Sequence, residues 1–178
     1  KAFYPEQPFG EEPQEGSRYY FNNIAYSYAD AIFLYGMIRL LKPKEIIEIG
    51  SGYSSFVMLD TNELFFDGKI HITCIEPYDA LLRSRMKESD FRNTEILSRR
   101  VQEVPLSAFD RLHEGDILFV DSSHVSKVGS DVNHILFEIL PRLRPGVLVH
   151  FHDMFFPFEY PQEWIEKRMY WWNEDYLL

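Results

Sequence analysis

Short runs of apolar residues alternate along the chain with longer segments in which apolar residues recur at helical spacing. The runs are bounded by Gly, Pro or acidic residues, which is typical of strands that end in turns. In the longer segments the apolar residues stand three and four positions apart, which predicts helices with one buried face. The predicted strands cover residues 45–49, 70–76, 94–98, 116–121 and 147–152. The predicted helices cover residues 22–41, 54–65, 80–87, 106–111 and about 128–140.

This alternation of strand and helix predicts a single α/β domain. Strands that are apolar on both faces are typical of a parallel sheet that is covered on both sides. Right-handed crossovers then give a doubly wound, mostly parallel sheet with helices on both faces, a Rossmann-like fold. Ligands of such sheets bind beyond the carboxyl ends of the strands. We therefore expect Glu48, Gly50, Asp121 and Asp153 to meet at that rim.

Composition narrows the class of partner. The formal net charge is -10, and we expect no nucleic-acid partner, because phosphate binding depends on clustered Lys and Arg. The most apolar segment, residues 24–41, is interrupted by Asp30 and Arg39, so we expect no membrane span. The single cysteine, Cys74, indicates a reducing compartment. With no visible signal peptide, we expect a cytoplasmic location, and the first residue, Lys1, indicates trimming or processing.

A glycine turn follows the first predicted strand. Gly50-Ser51-Gly52 stands between this strand and a helix, where glycines let a ligand approach the backbone. The segment lacks Gly-Lys-Ser/Thr, so a nucleoside triphosphate loop is not indicated. Glu76 ends the second strand, where a carboxylate can accept hydrogen bonds from both ribose hydroxyls of an adenosine group. Together these features predict a cofactor that contains a nucleoside.

The order of these features resembles that of the class I S-adenosylmethionine-dependent methyltransferases. The helix before the first strand also fits that class, which places a helical lid over the cofactor there. Within the class, the pattern is similar to that of the metal-dependent small-molecule O-methyltransferases of the catechol and macrocin types. The residues that carry the resemblance are Glu48-x-Gly50-x-Gly52, Glu76, Asp121 and the segment 143–149 that leads into the fifth strand.

The resemblance implies S-adenosylmethionine as the cofactor and a small hydroxylated molecule as the methyl acceptor. The glycine turn would line the methionine part, Glu76 would hold the ribose, and the residues at 101–102 would border the adenine. The third glycine of the family motif is replaced by Ser54, which is a departure in the turn. The implied cofactor residues are Glu48, Gly50, Ser51, Gly52, Glu76, Val101, Gln102 and Asp121.

The resemblance also implies a divalent metal of the Mg or Mn type. Its ligands would be Asp121 after the fourth strand, and His152 and Asp153 after the fifth. Carboxylates suit such hard ions, but the family more often has an acid where His152 stands, and imidazole favours Mn²⁺, Fe²⁺ or Zn²⁺. Capping of the strand end is the alternative role of His152. His150 is predicted to be a core histidine with satisfied ring nitrogens.

His124 stands three residues after Asp121, so a turn of helix or loop would place both on one side of the site. The macrolide-sugar enzymes have a histidine here as general base, and the resemblance implies that Asp121 and His124 are catalytic. A surface histidine that helps to start the next helix is the alternative. The aromatic segment 155–161 would either wall an acceptor pocket or pack beneath the following helix.

Two further functions stay open. A nicotinamide-dependent (NAD) oxidoreductase also combines a glycine turn with a ribose acid, and a cofactor-binding module without turnover is the other alternative. Residues 1–21 predict an extended arm, because Pro and Gly break regular structure there, and residues 22–178 predict one domain. Class I methyltransferases add two strands after the fifth, for which little sequence remains. We therefore expect a truncated form, whose exposed sheet edge a homo-oligomer could cover.

Overall fold

One sheet of five parallel strands forms the centre of the protein. The computed structural model describes residues 2–178; Lys1, the first residue of the predicted arm, lies outside the described residues. The strands are β1 (Glu45–Ile49), β2 (His71–Ile75), β3 (Thr94–Leu97), β4 (Ile117–Val120) and β5 (Leu148–Phe151). Their order in the sheet is β3-β2-β1-β4-β5, and every pairing is parallel. The predicted doubly wound α/β fold is confirmed.

Helices and short 3₁₀ segments connect the strands. The helices are α1 (Tyr28–Leu41), α2 (Tyr53–Phe66), α3 (Ala80–Arg85), α4 (Asp131–His134) and α5 (Gln162–Glu166). The two longest, α1 and α2, have 14 residues each, and no helix within residues 2–178 is both long and apolar enough to cross a membrane. Between β3 and β4 the chain forms only 3₁₀ segments, Val101–Glu103 and Leu106–Arg111.

Alternate residues of the central strands pack on opposite faces of the sheet and divide the core in two. On one face Ile46 and Phe119 pack in a cluster with side chains of α1 and α2. On the other face Ile47 and Val120 pack with Phe109 and with the helical turn that directly follows α4. Because helices or 3₁₀ segments cover both faces, these strands are apolar at nearly every position.

The chain order reverses between β1 and β4, which lie side by side. Asp121 N–H donates to the carbonyl of Ile49 at 2.8 Å, so the ladder continues past the end of β4. Gly50 has φ +84°, and a Cβ at this position would lie 1.7 Å from the carbonyl oxygen of Asp121. The two strand ends thus meet at a residue that has no room for a side chain. Beyond this point they diverge, which is where open α/β sheets bind ligands.

The first helix begins at Tyr28 rather than near residue 22, and this is a correction to the predicted boundary. The side-chain oxygen of Asn23 accepts the N–H groups of Ala25 and Tyr26, at 3.0 and 2.7 Å. This local turn competes with helical hydrogen bonding. Ile24, which lies within the predicted helix, is 97% exposed as a result.

The helix after β4 also begins later than predicted, at Asp131. Ser130 Oγ accepts the N–H of Asn133 at 3.2 Å and caps the helix. Val128, the first residue of the predicted helix, lies in the preceding loop and is fully exposed. After α4 the chain continues as a π-helical turn, Ile135–Ile139, and a 3₁₀ turn, Leu140–Arg142.

The fifth strand is an edge strand. Within residues 2–178, β5 pairs with β4 alone. Leu148 and Val149 are 38% and 39% exposed, so the prediction that every strand is covered on both faces is wrong for β5. The apolar run therefore identified the strand correctly, but not the exposure of its two faces.

The segment before α1 packs against the domain through Arg18. This side chain is 1% exposed, and its guanidinium contacts the carboxylates of Asp60, Asp90 and Glu63 at 2.5 to 2.6 Å. The N–H of Arg18 also donates to Asp60. Since a buried guanidinium is stable only with paired carboxylates, these contacts tie the segment to α2 and to the loop before β3.

Candidate active site

A cleft of about 470 Å³ opens at the carboxyl ends of β1, β2 and β4. Its walls are the glycine turn after β1, the residues that follow β2, the 3₁₀ segment Val101–Glu103 and the loop that follows β4. The fold therefore brings residues that are far apart in sequence to one rim. The predicted cofactor residues that line the cleft are Gly50, Glu76, Val101, Gln102 and Asp121.

Glu76 is held at the edge of this cleft by backbone hydrogen bonds. Its Oε2 accepts the N–H of Ser51 at 3.2 Å, and its Oε1 accepts the N–H of Tyr78 at 2.7 Å. The first bond joins the end of β2 to the glycine turn after β1. Each carboxylate oxygen retains a further lone pair. Glu76 can therefore accept hydrogen bonds from a ligand while its position stays fixed.

Glu48 lies in the interior and does not line the cleft. The residue is 0% exposed, and its oxygens accept hydrogen bonds from Ser54 and Ser55 at the start of α2. Burial raises the pKa of Glu48 to about 7, against the opposing effect of the serine hydroxyls. The carboxyl group thus ties β1 to α2. Glu48 therefore does not reach the cleft, and it is connected to the other predicted cofactor residues through the glycine turn that follows β1.

The remaining predicted cofactor residues occupy different parts of the rim. Gly52 is the N-cap residue of α2, and its N–H donates to Ser55 Oγ at 3.0 Å. Val101 is buried in the wall, while the side-chain amide of Gln102 donates to the carbonyl of Gly129 at 3.0 Å. The hydroxyl oxygen of Ser122, which lines the cleft, is shielded and has no hydrogen-bond partner among residues 2–178. A polar ligand in the cleft can supply the partner that this group lacks.

Asp121 and His124 are in contact, as the sequence predicted for residues on one side of the site. His124 Nε2 lies 3.2 Å from Asp121 Oδ1, and Nδ1 lies 3.0 Å from Glu174 Oε2. The ring is 4% exposed and packs on Trp172, with 4.1 Å between ring centroids. His124 is neither on the surface nor inside a helix, so the alternative role in starting the next helix is not supported.

The two carboxylates determine the charge of His124. Burial lowers the pKa of the imidazole. Hydrogen bonds and charge attraction from Asp121 and Glu174 together have a larger, opposite effect, and the resulting pKa is about 9. At neutral pH the ring is therefore protonated on both nitrogens, with each N–H directed at a carboxylate. In this form His124 orients Asp121 and carries no free lone pair. The predicted role of general base requires the neutral form of the ring.

Glu174 was missed by the sequence reasoning. It is separated from His124 by fifty positions and lies in a 3₁₀ turn, Glu174–Tyr176, near the end of the chain. The segment that carries it has neither helical nor strand periodicity. Its adjacent acids also resemble an exposed chain end. No local signal in the sequence could identify it as a partner of His124.

The predicted metal ligands come close to each other but do not form a metal site. His152 Nε2 lies 3.5 Å from Asp153 Oδ1, whereas Asp121 Oδ1 is occupied by His124. Within residues 2–178, no group of three or more His, Cys, Asp or Glu side chains has an arrangement that could hold a metal ion. The ring of His152 packs on Tyr26, at a centroid distance of 4.8 Å. Its surroundings are therefore those of a packed side chain at a strand end.

His150 is a half-buried histidine on the edge strand, without the expected hydrogen bonds. Its ring stacks on Phe119 at 4.7 Å, but its Nε2 has no partner among the described residues. Partial burial and the charge of the nearby His152 together lower the pKa of His150 to about 4. The prediction of a core histidine with satisfied ring nitrogens is therefore wrong.

The aromatic residues after β5 pack mainly on one another. Trp164 contacts Phe155 and Trp172 edge to face, at 5.2 and 5.4 Å, and Tyr170 stacks on Trp172 at 4.9 Å. Through Trp172 this cluster covers His124. Packing, one of the two roles considered for residues 155–161, thus describes the inner members, while Phe156 remains 89% exposed.

Comparisons with known proteins support the methyltransferase family that the sequence motifs resemble. The family model described as a methyltransferase domain matches residues 47–154. An uncharacterized protein of Archaeoglobus fulgidus is 40% identical over 116 residues, which cover 64% of this chain and 50% of that protein. The chain thus spans about half the length of the curated relative that it matches. Residues 47–154, which the family model matches, include the glycine turn, Glu76, Asp121 and His124.

Two solved structures share the fold. A structure of cmcI with Mg and SAM has a TM-score of 0.54 and 17% identity, and the match covers 95% of this chain and 70% of that chain. A structure of cmcI with SAH has a TM-score of 0.51 and 17% identity, with coverage of 90% and 79%. The resemblance predicted from the motifs is confirmed at the level of family and fold. Since the family model covers more than half of the sequence, this protein belongs to the methyltransferase-domain family.

Proposed function

We propose that this protein transfers a methyl group from S-adenosylmethionine to a hydroxyl group of a small molecule. The observation that carries the proposal is Glu76, which is fixed at the end of β2 and faces a cleft that the turn at Gly50 leaves open. A carboxylate in this place suits the ribose of an adenosine group. Membership of a methyltransferase-domain family and the SAM and SAH of the cmcI structures support the choice of cofactor.

Each wall of the cleft has a role in holding the cofactor. Glu76 accepts hydrogen bonds from the ribose hydroxyls, and Gly50 leaves space for the methionine part beside the backbone of Asp121. Val101 and Gln102 border the adenine, and Ser122 offers a hydroxyl without a protein partner. When bound, S-adenosylmethionine supplies a methyl group on an electrophilic sulfonium centre. The protein contributes mainly the orientation of this methyl group toward the acceptor oxygen.

The acceptor side of the proposed site is the rim at Asp121, behind which His124 is buried. An alcohol that is methylated releases a proton, and Nε2 of His124 lies 3.2 Å from Asp121. Because the pKa of His124 is about 9, this nitrogen can accept the proton only in the fraction of molecules whose ring is neutral, while the Asp121 carboxylate accepts a hydrogen bond from the acceptor hydroxyl. The aromatic cluster around Trp172 keeps water away from His124.

A divalent metal is not part of this proposal. The Mg of a cmcI structure supports a metal, but the described residues Asp121, His152 and Asp153 do not converge on one point. We derive no step that depends on a metal. Calorimetric titration with MgCl₂ and MnCl₂ tests this part, and binding tighter than about 0.1 mM at one site would contradict the geometry.

Calorimetry with S-adenosylhomocysteine and with NAD tests the cofactor. We expect the homocysteine compound to bind and NAD not to bind. The opposite result would replace methyl transfer by the oxidoreductase alternative. A screen of hydroxylated small molecules by mass spectrometry then tests turnover, with a mass gain of one methylene unit as the expected result. Binding of the homocysteine compound without any methylated product in a broad screen would favour a binding module.

A further inference from the structure

The carboxylate of Glu174 is buried next to an imidazole and has few other partners. The residue is 1% exposed, and Oε2 lies 3.0 Å from His124 Nδ1. Its other oxygen, Oε1, is buried and has no hydrogen-bond partner among residues 2–178. A buried carboxylate is costly unless it is paired, so the contact with His124 is what stabilises Glu174 in this position.

The backbone beside Glu174 holds the backbone of His124 as well. The N–H groups of Asn173 and Glu174 both donate to the carbonyl of His124, at 3.0 and 3.2 Å. The side chain of Asn173 accepts the N–H of Ser126 at 2.6 Å and donates to its carbonyl at 3.3 Å. His124 itself has φ +58°, a conformation that non-glycine residues adopt only when their surroundings stabilise it. One segment of the chain therefore restrains both the backbone and the ring of His124.

The restraint determines which ring nitrogen faces the rim. With Nδ1 directed at Glu174, the opposite nitrogen, Nε2, points at Asp121, from which it is separated by 3.2 Å. A histidine acts through one nitrogen while a hydrogen bond to the other fixes its orientation. Trp172 packs against the ring and limits its rotation about the Cβ–Cγ bond. Residues 172–174 thus hold the side of the His124 ring that faces away from the cleft.

We propose that Glu174 is a positioning residue for methyl transfer, which holds His124 so that Nε2 faces Asp121 and the acceptor. The inference rests on the proposed function and adds a residue from the C-terminal segment to the site. Glu174 does not touch the cofactor cleft, because it is absent from the residues that line it. Its loss should therefore change the chemical step and leave cofactor binding intact.

The test compares Glu174→Ala with Glu174→Gln, and Glu166→Ala, an exposed acid on α5, is the matched control. We expect Glu174→Ala to lower kcat by about 10- to 100-fold, the usual effect of removing the partner of a functional histidine. Glu174→Gln keeps an oxygen that accepts the Nδ1–H, and we expect a loss of only about 3- to 10-fold. The dissociation constant of S-adenosylhomocysteine should stay within about twofold in all variants, since Glu76 is unchanged.

A second readout makes the test independent of turnover. In NMR spectra of the wild type and of Glu174→Gln we expect a slowly exchanging Nδ1–H signal from His124, and in Glu174→Ala we expect its loss. Equal kcat in Glu174→Ala and the wild type, or an unchanged Nδ1–H signal in Glu174→Ala, would overturn the proposal. A uniform loss of kcat and of melting temperature in both variants would assign Glu174 a structural role instead. Failure of the wild type to bind S-adenosylhomocysteine would overturn the proposed function, while the NMR result would still decide the positioning of His124.

Discussion

The two sides of the cleft are built in different ways. On the side of β1 and β2, Glu76 is held by the N–H groups of Ser51 and Tyr78, which belong to the turns at the ends of these strands. On the side of β4 and β5, His124 is held by Glu174, from a segment fifty positions away. The first side thus depends on turns at strand ends, and the second depends on the packing of the C-terminal segment. We expect the cofactor side to keep its geometry under changes that disturb the acceptor side.

The largest effect is expected at Gly50, where the two sides touch. In Gly50→Ala the new Cβ would lie 1.7 Å from the carbonyl oxygen of Asp121, at a φ of +84°. The strand ends must separate, and we expect a loss of about 3 kcal/mol or more in unfolding free energy. Chemical denaturation measures it. The matched control is Gly52→Ala, where an added Cβ meets no atom within 4 Å and the expected loss is below about 1 kcal/mol. Similar losses of unfolding free energy in Gly50→Ala and Gly52→Ala would contradict the close contact between Gly50 and Asp121.

Glu48 gives the next largest effect, on stability as a function of pH. Its pKa is about 7 in the folded protein and near 4.5 in the unfolded chain, so the folded state binds the proton more tightly. The contribution to stability is present below pH 4.5 and is lost as the pH rises toward 7, by roughly 3 kcal/mol at most. Denaturation at pH 5 and pH 8 measures this change. In Glu48→Gln the pH dependence should be flatter over this range; an unchanged slope would contradict the assignment to Glu48.

The cofactor side is tested by Glu76→Gln. The loss of the negative charge should weaken binding of S-adenosylhomocysteine by about 10- to 100-fold, because hydrogen bonds to a charged group contribute roughly 1.5 to 3 kcal/mol. Glu48→Gln is the comparison variant, and we expect a change within about threefold, since Glu48 lies outside the cleft. Calorimetry gives both constants. If Glu48→Gln has the larger effect, the cofactor contacts the turn in a different way from the one proposed.

The smallest effect is expected for Asn173→Ala on the acceptor side. This change removes two hydrogen bonds to the backbone of Ser126 and should cost about 1 to 2 kcal/mol of local stability. Hydrogen exchange of residues 121–127 should become faster, while the affinity for S-adenosylhomocysteine stays the same. An equal loss of affinity would show that the two sides of the cleft are coupled more strongly than their contacts indicate.

Elements with strong local patterns were predictable, and their boundaries less so. The strands and α2 lie close to the predicted positions, because buried strands and helices impose apolar residues at each covered position. The start of α1 was missed because Asn23 forms a turn through its own side chain. The start of α4 was missed because Ser130, rather than an earlier residue, caps the helix. In both cases one polar side chain outweighed the apolar spacing.

For the candidate site, residue type was a weaker guide than position. Glu48 and Glu76 are both acids at the ends of neighbouring strands, yet one is buried beneath α2 and the other faces the cleft. Position along the strand decides this, since Glu48 lies inside β1 opposite Cys74, whereas Glu76 follows the last residue of β2. His124 was placed correctly beside Asp121, but its charge depends on Glu174 and could not be read from the sequence.

The sequence by itself determined the order of strands and helices, the glycine turn and the acids at the strand ends, because short-range sterics and burial impose these patterns on nearby residues. Only the tertiary structure decided that both faces of β5 are partly exposed, that Glu48 is sealed in the core and that Glu174 holds His124. Contacts of this kind join residues far apart in the chain. Their energies depend on burial and on the distance between charges, and neither quantity exists before the chain has folded.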